Sequence, residues 1–207
     1  MPTVDQLLER ARSATGHTTL YWLGEGGRDP RAPLPSTPVD VARTWASLSA
    51  QDREELAPLA QAMGIDVTGD APPRDACDCS GFVCWALGMA RHAPSAAAYT
   101  DAKGWIYTDS IYKDATNAGV RFRGLDRAVP GALVVYPADP RHGKRHGHVA
   151  IVMEADASGR ATLIAHCSGD NNKHAPYDAI KITTPEVFEA EPASIYAWCR
   201  DVSGAPD

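Results

Sequence analysis

Helices early in the chain and strands late in it predict an α+β fold, with helices packed against an antiparallel sheet. Three observations carry this reading. Apolar residues recur at helical spacing in residues 4–14, 39–64 and 79–91. From about residue 104 the apolar runs shorten and become rich in β-branched and aromatic residues. The runs LVVYP and HVAIV are joined by DPRHGKRHG, a Gly- and charge-rich loop suited to antiparallel neighbours.

Each element follows in order. VDQLLERARSA places Val4, Leu7, Leu8 and Ala11 on one helical face, with Thr3 as a cap. Residues 16–38 alternate glycine and proline densely and read as a long structured loop. Two helical stretches follow, from Val39 and from Gln51; Ser49 is a cap, Pro58 a break or first turn, and Gly64 a stop. Residues 69–76 form a Pro-rich approach, after which Asp75 or Asp78 can cap CSGFVCWALGMAR. There Phe82, Val83, Ala86, Leu87 and Ala90 share a buried face, placing Cys79 in the first turn. Strands are predicted at 104–112, 131–138, 148–154, 160–169, 181–188 and 193–200.

At 207 residues the chain buries roughly 70% of its unfolded surface and needs no metal or disulfide for a core. Without repeats or an obvious linker, one domain over residues 1–207 is expected, with a helical insertion at about 39–70, and a monomer. A net charge of −6 opposes binding to phosphate backbones, so nucleic acid is not an expected partner. No run of 18 apolar residues occurs, so no membrane span is expected. MPTVDQLLERARSATG lacks the apolar core of a signal peptide. The expected location is therefore cytoplasmic, or reached by a non-classical route such as phage lysis or effector secretion. Five cysteines, an odd number at irregular spacing, point to a reactive thiol rather than a disulfide framework.

A cysteine reacts as thiolate, and a helix N-terminus favours that form. Cys79 has this position, followed by the small Ser80 and Gly81. Such chemistry also needs a general base and a group to orient it. His148 opens one apolar strand and His166 ends the next, where it can take the Nδ1 proton of His148. Set against this, Cys79 alone is a common buried hydrophobe, and His166 can sit in a simple turn. A zinc site from Cys77, Cys79 and Cys84 with His142, His146 or His148 is too tightly spaced at Cys77-x-Cys79. No metal or other cofactor is expected. Cys84 reads as packing, and Trp22 is placed beside the groove, free to stack on substrate.

Together these residues resemble the NlpC/P60 cysteine peptidases. Asp78-Cys79-Ser80-Gly81-Phe82 reproduces that family's nucleophile motif, Gly147-His148-Val149-Ala150-Ile151 its base strand, and Pro130-Gly131-Ala132-Leu133-Val134 its Pro-Gly-Asp-Leu-Val phrase. Tyr21 with Gly26 and Gly27 corresponds loosely to its Tyr-x-x-Gly-Gly loop. The resemblance implies a papain-like fold and a Cys79–His148–His166 triad, with Tyr21 near the oxyanion hole. It also implies cleavage of peptidoglycan stem peptides, usually at the γ-D-glutamyl to diamino-acid bond. An inhibitory or immunity protein is a conceivable partner of such an enzyme.

Two departures stand out. Ala132 replaces the acidic residue of its phrase, and about fifty residues separate the Tyr21 loop from Cys79 where the family has a short connection. The related CHAP amidases tend to place an acid or amide third, so His166 points to the first family. Three other functions stay open: a CHAP-type amidase, the same thiol acting on a non-peptidoglycan amide or thioester by hydrolysis or acyl transfer, and a binding or immunity module without catalysis.

Overall fold

Helix α1 (Val4–Ser13) starts in a reciprocal cap: Thr3 Oγ1 accepts from the Gln6 N–H, and Gln6 Oε1 accepts from the Thr3 N–H at 2.9 Å. The structure, a computed structural model, describes residues 1–69 and 72–206. Asp70, the last residue of the expected insertion, and Ala71 lie outside the described residues.

After α1 come strands β1 (Leu20–Tyr21) and β2 (Thr37–Val39), helices α2 (Val41–Ser47) and α3 (Ala50–Ala62), and strand β3 (Arg74–Cys77). Strand β3 lies between the other two, parallel to β1 with Tyr21 opposite Cys77, and antiparallel to β2. Ser49 caps α3 as expected. Pro58, however, neither breaks nor starts it. The proline is exposed, so the carbonyl it leaves without an N–H is solvated, while Leu56, Leu59 and Ala60 anchor the opposite face.

Helix α4 (Cys79–Ala86) follows β3 directly and is buried on every side. It ends earlier than the apolar pattern suggests: Gly88 takes φ +69°, and Ala90 is exposed. Next come α5 (Thr108–Thr116), β4 (Phe122–Leu125), β5 (Leu133–Tyr136), a 3₁₀ turn at Pro140–His142, β6 (His148–Ala155) and β7 (Ala161–Cys167). The chain closes with α6 (Gly169–Asn172), β8 (Ile180–Thr183), α7 (Glu186–Glu189) and β9 (Ile195–Cys199). The late strands form a sheet ordered β4-β9-β5-β6-β7-β8, antiparallel at every described pairing. The molecule is thus α+β, with helices against an antiparallel sheet.

Two predicted strands are corrected. Residues 104–112 contribute the start of α5, because Ser110, Ile111 and Asp114 turn inward at helical spacing. The Asp114 carboxylate there accepts from the N–H groups of Val120, Arg121 and Phe122 and shapes the entry to β4. Residues 181–188 divide at Pro185 into strand β8 and the short α7. Buried apolar residues from Leu7 to Val202 form one cluster, and α4 packs on β6 and β7 at its centre.

Candidate active site

Cys79 is set in place by its neighbour. Asp78 caps α4: its Oδ1 accepts from the Gly81 N–H at 2.8 Å and the Ser80 hydroxyl at 3.0 Å. Its Oδ2 accepts from the Gly24 N–H at 2.8 Å and from Arg91 Nη2 at 2.6 Å. Arg91 is wholly buried, and its Nη1 donates to the Glu25 carbonyl at 2.8 Å. One ion pair therefore ties the 24–25 loop to the head of α4. The glycines of the two segments allow this approach: a Cβ on Gly27 would lie 2.3 Å from the Gly81 oxygen, and one on Gly81 2.5 Å from the Glu25 oxygen.

Cys79 is only 5% exposed. The nearby backbone N–H groups of Val149 and Ser80 favour its anion, which places the sulfur close to β6 one residue beyond His148. Among the described residues, the hydrogen-bonded pair is His148 and His166, Nε2 to Nδ1 at 2.8 Å. The nitrogen of His148 that meets His166 is therefore Nε2, not the expected Nδ1. The register explains it. With Ile151 opposite Ala165, His148 and His166 share a face as diagonal neighbours, and only the distal nitrogen spans that separation. Phe188, on α7, stacks on the His148 ring at 5.2 Å with planes 17° apart.

Tyr21 is buried and lines two clefts. One, of about 400 Å³, also holds Cys79, Leu48, Asp52 and Tyr107; the other, of about 200 Å³, holds His148, Glu55, Leu59 and Tyr136. His146 and Gly147 are common to both. The structure thus brings Cys79, His148, His166 and Tyr21 into one region. Trp22 is a correction: it is fully buried and packs on Trp45, leaving no face for substrate. Cys77 and Cys84 are buried in the core, and all five cysteines are free.

Helix α3 crosses both clefts and is held to the loop before β6 by charge. Arg145 contacts Asp52 at 2.8 Å and Glu55 at 3.5 Å, and His146 contacts Glu55 at 3.3 Å. Asp52, Glu55 and His146 lie close enough to share a cation, and the Arg145 guanidinium already pairs with both carboxylates.

Protonation departs from the expectation of a resting thiolate. Burial pushes the Cys79 thiol up to about 12, and the Asp78 charge adds to this; Arg91 and the two N–H groups work against it. Burial, with the adjacent His166 ring, holds His148 well below the usual imidazole range. Burial also lowers His166 to about 4, with Asp170 opposing. Burial thus favours the uncharged thiol and the uncharged imidazoles in this region. Burial also raises Tyr21, followed by the nearby Cys79, so its hydroxyl keeps its proton.

The histidine shifts carry a stability prediction. Below pH 6.5 the unfolded chain gains a proton on each ring that the folded chain refuses until much lower pH. Stability is therefore full above pH 6.5 and is lost as pH falls toward about 4, on the order of 3 kcal/mol from His166 alone. Urea unfolding midpoints measured from pH 7.5 to 4.5 should fall accordingly, and His166→Gln should flatten the slope.

Thr183, Asn171, Phe188 and Arg91 enter this region without having been picked out from the sequence. Thr183 and Phe188 depend on strand register and on the turn at Pro185; Arg91 follows a helical run and reads as an ordinary surface charge. For Asn171 the only local signal was its place after the Cys-Ser-Gly that follows His166.

Among the described residues no helix is long and apolar enough to cross a membrane. No curated protein matches the chain at a significant level. Among solved structures it is similar to that of Ly7917, at 15% identity and a TM-score of 0.35, covering 95% of this chain and 62% of that one. It is also similar to the structure of Ly7917 with the hydrolyzing product of MDP, at 13% identity and a TM-score of 0.32, covering 95% and 63%. The chain thus spans less than two thirds of the length of these structures. The family model that matches is that of the CHAP domain, over residues 67–167, the relative set beside NlpC/P60 above. Cys79, His148 and His166 all fall inside that segment, which is thus similar to a domain of cysteine, histidine-dependent amidohydrolases/peptidases over just under half of the chain.

Proposed function

We propose that the protein is a cysteine amidohydrolase or peptidase of papain-like fold that cleaves an amide bond in the stem peptides of bacterial peptidoglycan. The observation that carries this reading is the bonded His148–His166 pair on the two strands against which the buried helix headed by Cys79 packs. It lies within a segment that matches a family of this chemistry.

Because burial favours the uncharged thiol and imidazole, the proton moves as the bond forms. His148 Nδ1 takes the Cys79 proton while the sulfur attacks the amide carbonyl. The oxygen that becomes negative is met by the Cys79 backbone N–H, which has no intrahelical acceptor in the first turn, and by the Tyr21 hydroxyl. The imidazolium then gives its proton to the departing amine, and the C–N bond breaks to leave a thioester on Cys79. Water, deprotonated by the same nitrogen, attacks the thioester; the carboxylic acid leaves and the thiol regains its proton. His166 holds the His148 ring throughout, and Phe188 shields the pair from water.

In this reading residues 39–70 are an insertion into a single catalytic domain, and the part from Leu48 to Leu59 roofs the clefts. Support comes from Leu48 and Asp52 on the Cys79 side, and from Glu55 and Leu59 on the His148 side. The roof narrows the range of substrates to slender peptides.

The test is incubation with purified peptidoglycan and with soluble stem-peptide fragments, followed by mass analysis. A new amine and carboxylate should appear at one amide position, the γ-D-glutamyl to diamino-acid bond being the first to inspect. Intact wall and intact fragments, with turnover of a simple thioester instead, would move the assignment to acyl transfer.

A further inference from the structure

We infer that Thr183 is a positioning residue that decides which ring nitrogen of His148 carries its proton, through His166. The inference rests on the reading of His148 as the base. Thr183 lies on β8 opposite Ile164 of β7, so it shares a face with His166, two residues further along that strand. Its Oγ1 lies 3.1 Å from His166 Nε2 and 3.0 Å from the Thr184 carbonyl oxygen.

A hydroxyl has one proton to give, and a carbonyl can only accept. The Thr183 proton therefore goes to the Thr184 oxygen, and Oγ1 accepts from an N–H on His166 Nε2. A neutral imidazole has one N–H, so Nδ1 of His166 is left as an acceptor. That nitrogen meets His148 Nε2 at 2.8 Å, which must donate. The lone pair of His148 is then on Nδ1, the nitrogen a base needs free. The chain of donors thus runs one way, from His148 to His166 to Thr183 to the Thr184 carbonyl.

The neighbour on the other side would set the opposite sense. Asn171 Nδ2 is a donor with two N–H groups: one goes to the Ala179 oxygen at 2.9 Å, and the other lies between the His166 oxygen and His166 Nε2, each at 3.4 Å. If the acceptor at Thr183 is removed, Asn171 is the polar group left facing Nε2 and favours a bare nitrogen there. His166 then holds its proton on Nδ1 and gives it to His148 Nε2. His148 is forced to carry its own proton on Nδ1, where it opposes the thiol instead of accepting from it.

The experiment is a long-range 1H–15N correlation spectrum of the histidines at pH 7.5 in the full chain, for the wild type, Thr183→Val and Thr183→Ser. It is paired with the rate of Cys79 alkylation by iodoacetamide and with kcat and KM on stem-peptide fragments. Wild type and the serine variant should show His148 and His166 both protonated at Nε2. The valine variant should move both protons to Nδ1, with alkylation and kcat falling on the order of 10²-fold and KM unchanged. A wild-type spectrum with His148 protonated at Nδ1 overturns the inference, even if the valine variant fails to fold. So does a folded valine variant with wild-type tautomers. A failure of the functional reading looks different: Cys79→Ala would retain turnover while the tautomer shift at Thr183 persisted.

Discussion

Cys79→Ala is expected to lower amide hydrolysis on the order of 10⁵-fold, to the rate without enzyme, while the melting temperature stays within a few degrees of wild type. The two halves of this expectation have separate causes. The sulfur is the atom that bonds to the carbonyl, and an alanine methyl cannot replace it. The fold, by contrast, loses one atom from a helix whose seven other residues are also buried, at a cost of roughly 1 kcal/mol. Cys84→Ala is the control: it removes a sulfur equally buried in the same helix but away from the clefts, and it should leave turnover intact. Hydrolysis by the Cys79 variant, checked by mass analysis of the products, would remove this residue from the chemistry.

Asp78→Ala is expected to be the most destabilising single change near the site, by about 3–5 kcal/mol. It strips the Arg91 guanidinium of its counter-charge in a place with no access to water. The same change deletes the cap of α4 and the acceptor for the Gly24 N–H. For a chain of this length the melting temperature should fall by roughly 10 °C. Because the cost arises chiefly from the stranded cation, Asp78→Ala with Arg91→Met should recover part of it, giving a coupling of more than about 1 kcal/mol in a double-mutant cycle. Calorimetry on the four proteins decides the matter; additive losses would mean the pair is not a unit.

The comparison of sequence with structure divides along the range of the interactions. Helix α4, its Asp78 cap and the strands at 133–136, 148–155, 161–167 and 195–199 were legible because neighbouring residues dictate them. Cys79 and His148 were legible because each sits in a short phrase at an element boundary. Helix α5 was misread because three of its four inward residues are polar: Thr108, Ser110 and Asp114 hide the period that Ile111 alone cannot display. Arg91 was overlooked since a buried cation is intelligible only beside its anion, 13 positions earlier in the chain. The contact nitrogen of His148 depends on the offset between β6 and β7, and Thr183 on that between β7 and β8, neither of which is a local property. The protonation of Cys79 went against expectation for a reason of magnitude. A helix terminus contributes at most about 2 kcal/mol toward the anion, and a nearly water-free position opposes it by more.

The fastening of α3 has an implication for the medium in which the protein works. On its inner side the helix is attached by Leu56, Leu59 and Ala60, which brine does not loosen; on its outer side by Arg145, Asp52, Glu55 and His146, all a quarter to two fifths open to solvent. Counter-ions shield charges so exposed over roughly 8–10 Å at ordinary ionic strength, and over about 3 Å in molar electrolyte. Rising salinity is therefore expected to weaken the charged fastening of the helix and to leave its apolar seat unchanged, so that the hold of α3 over the clefts should depend on ionic strength.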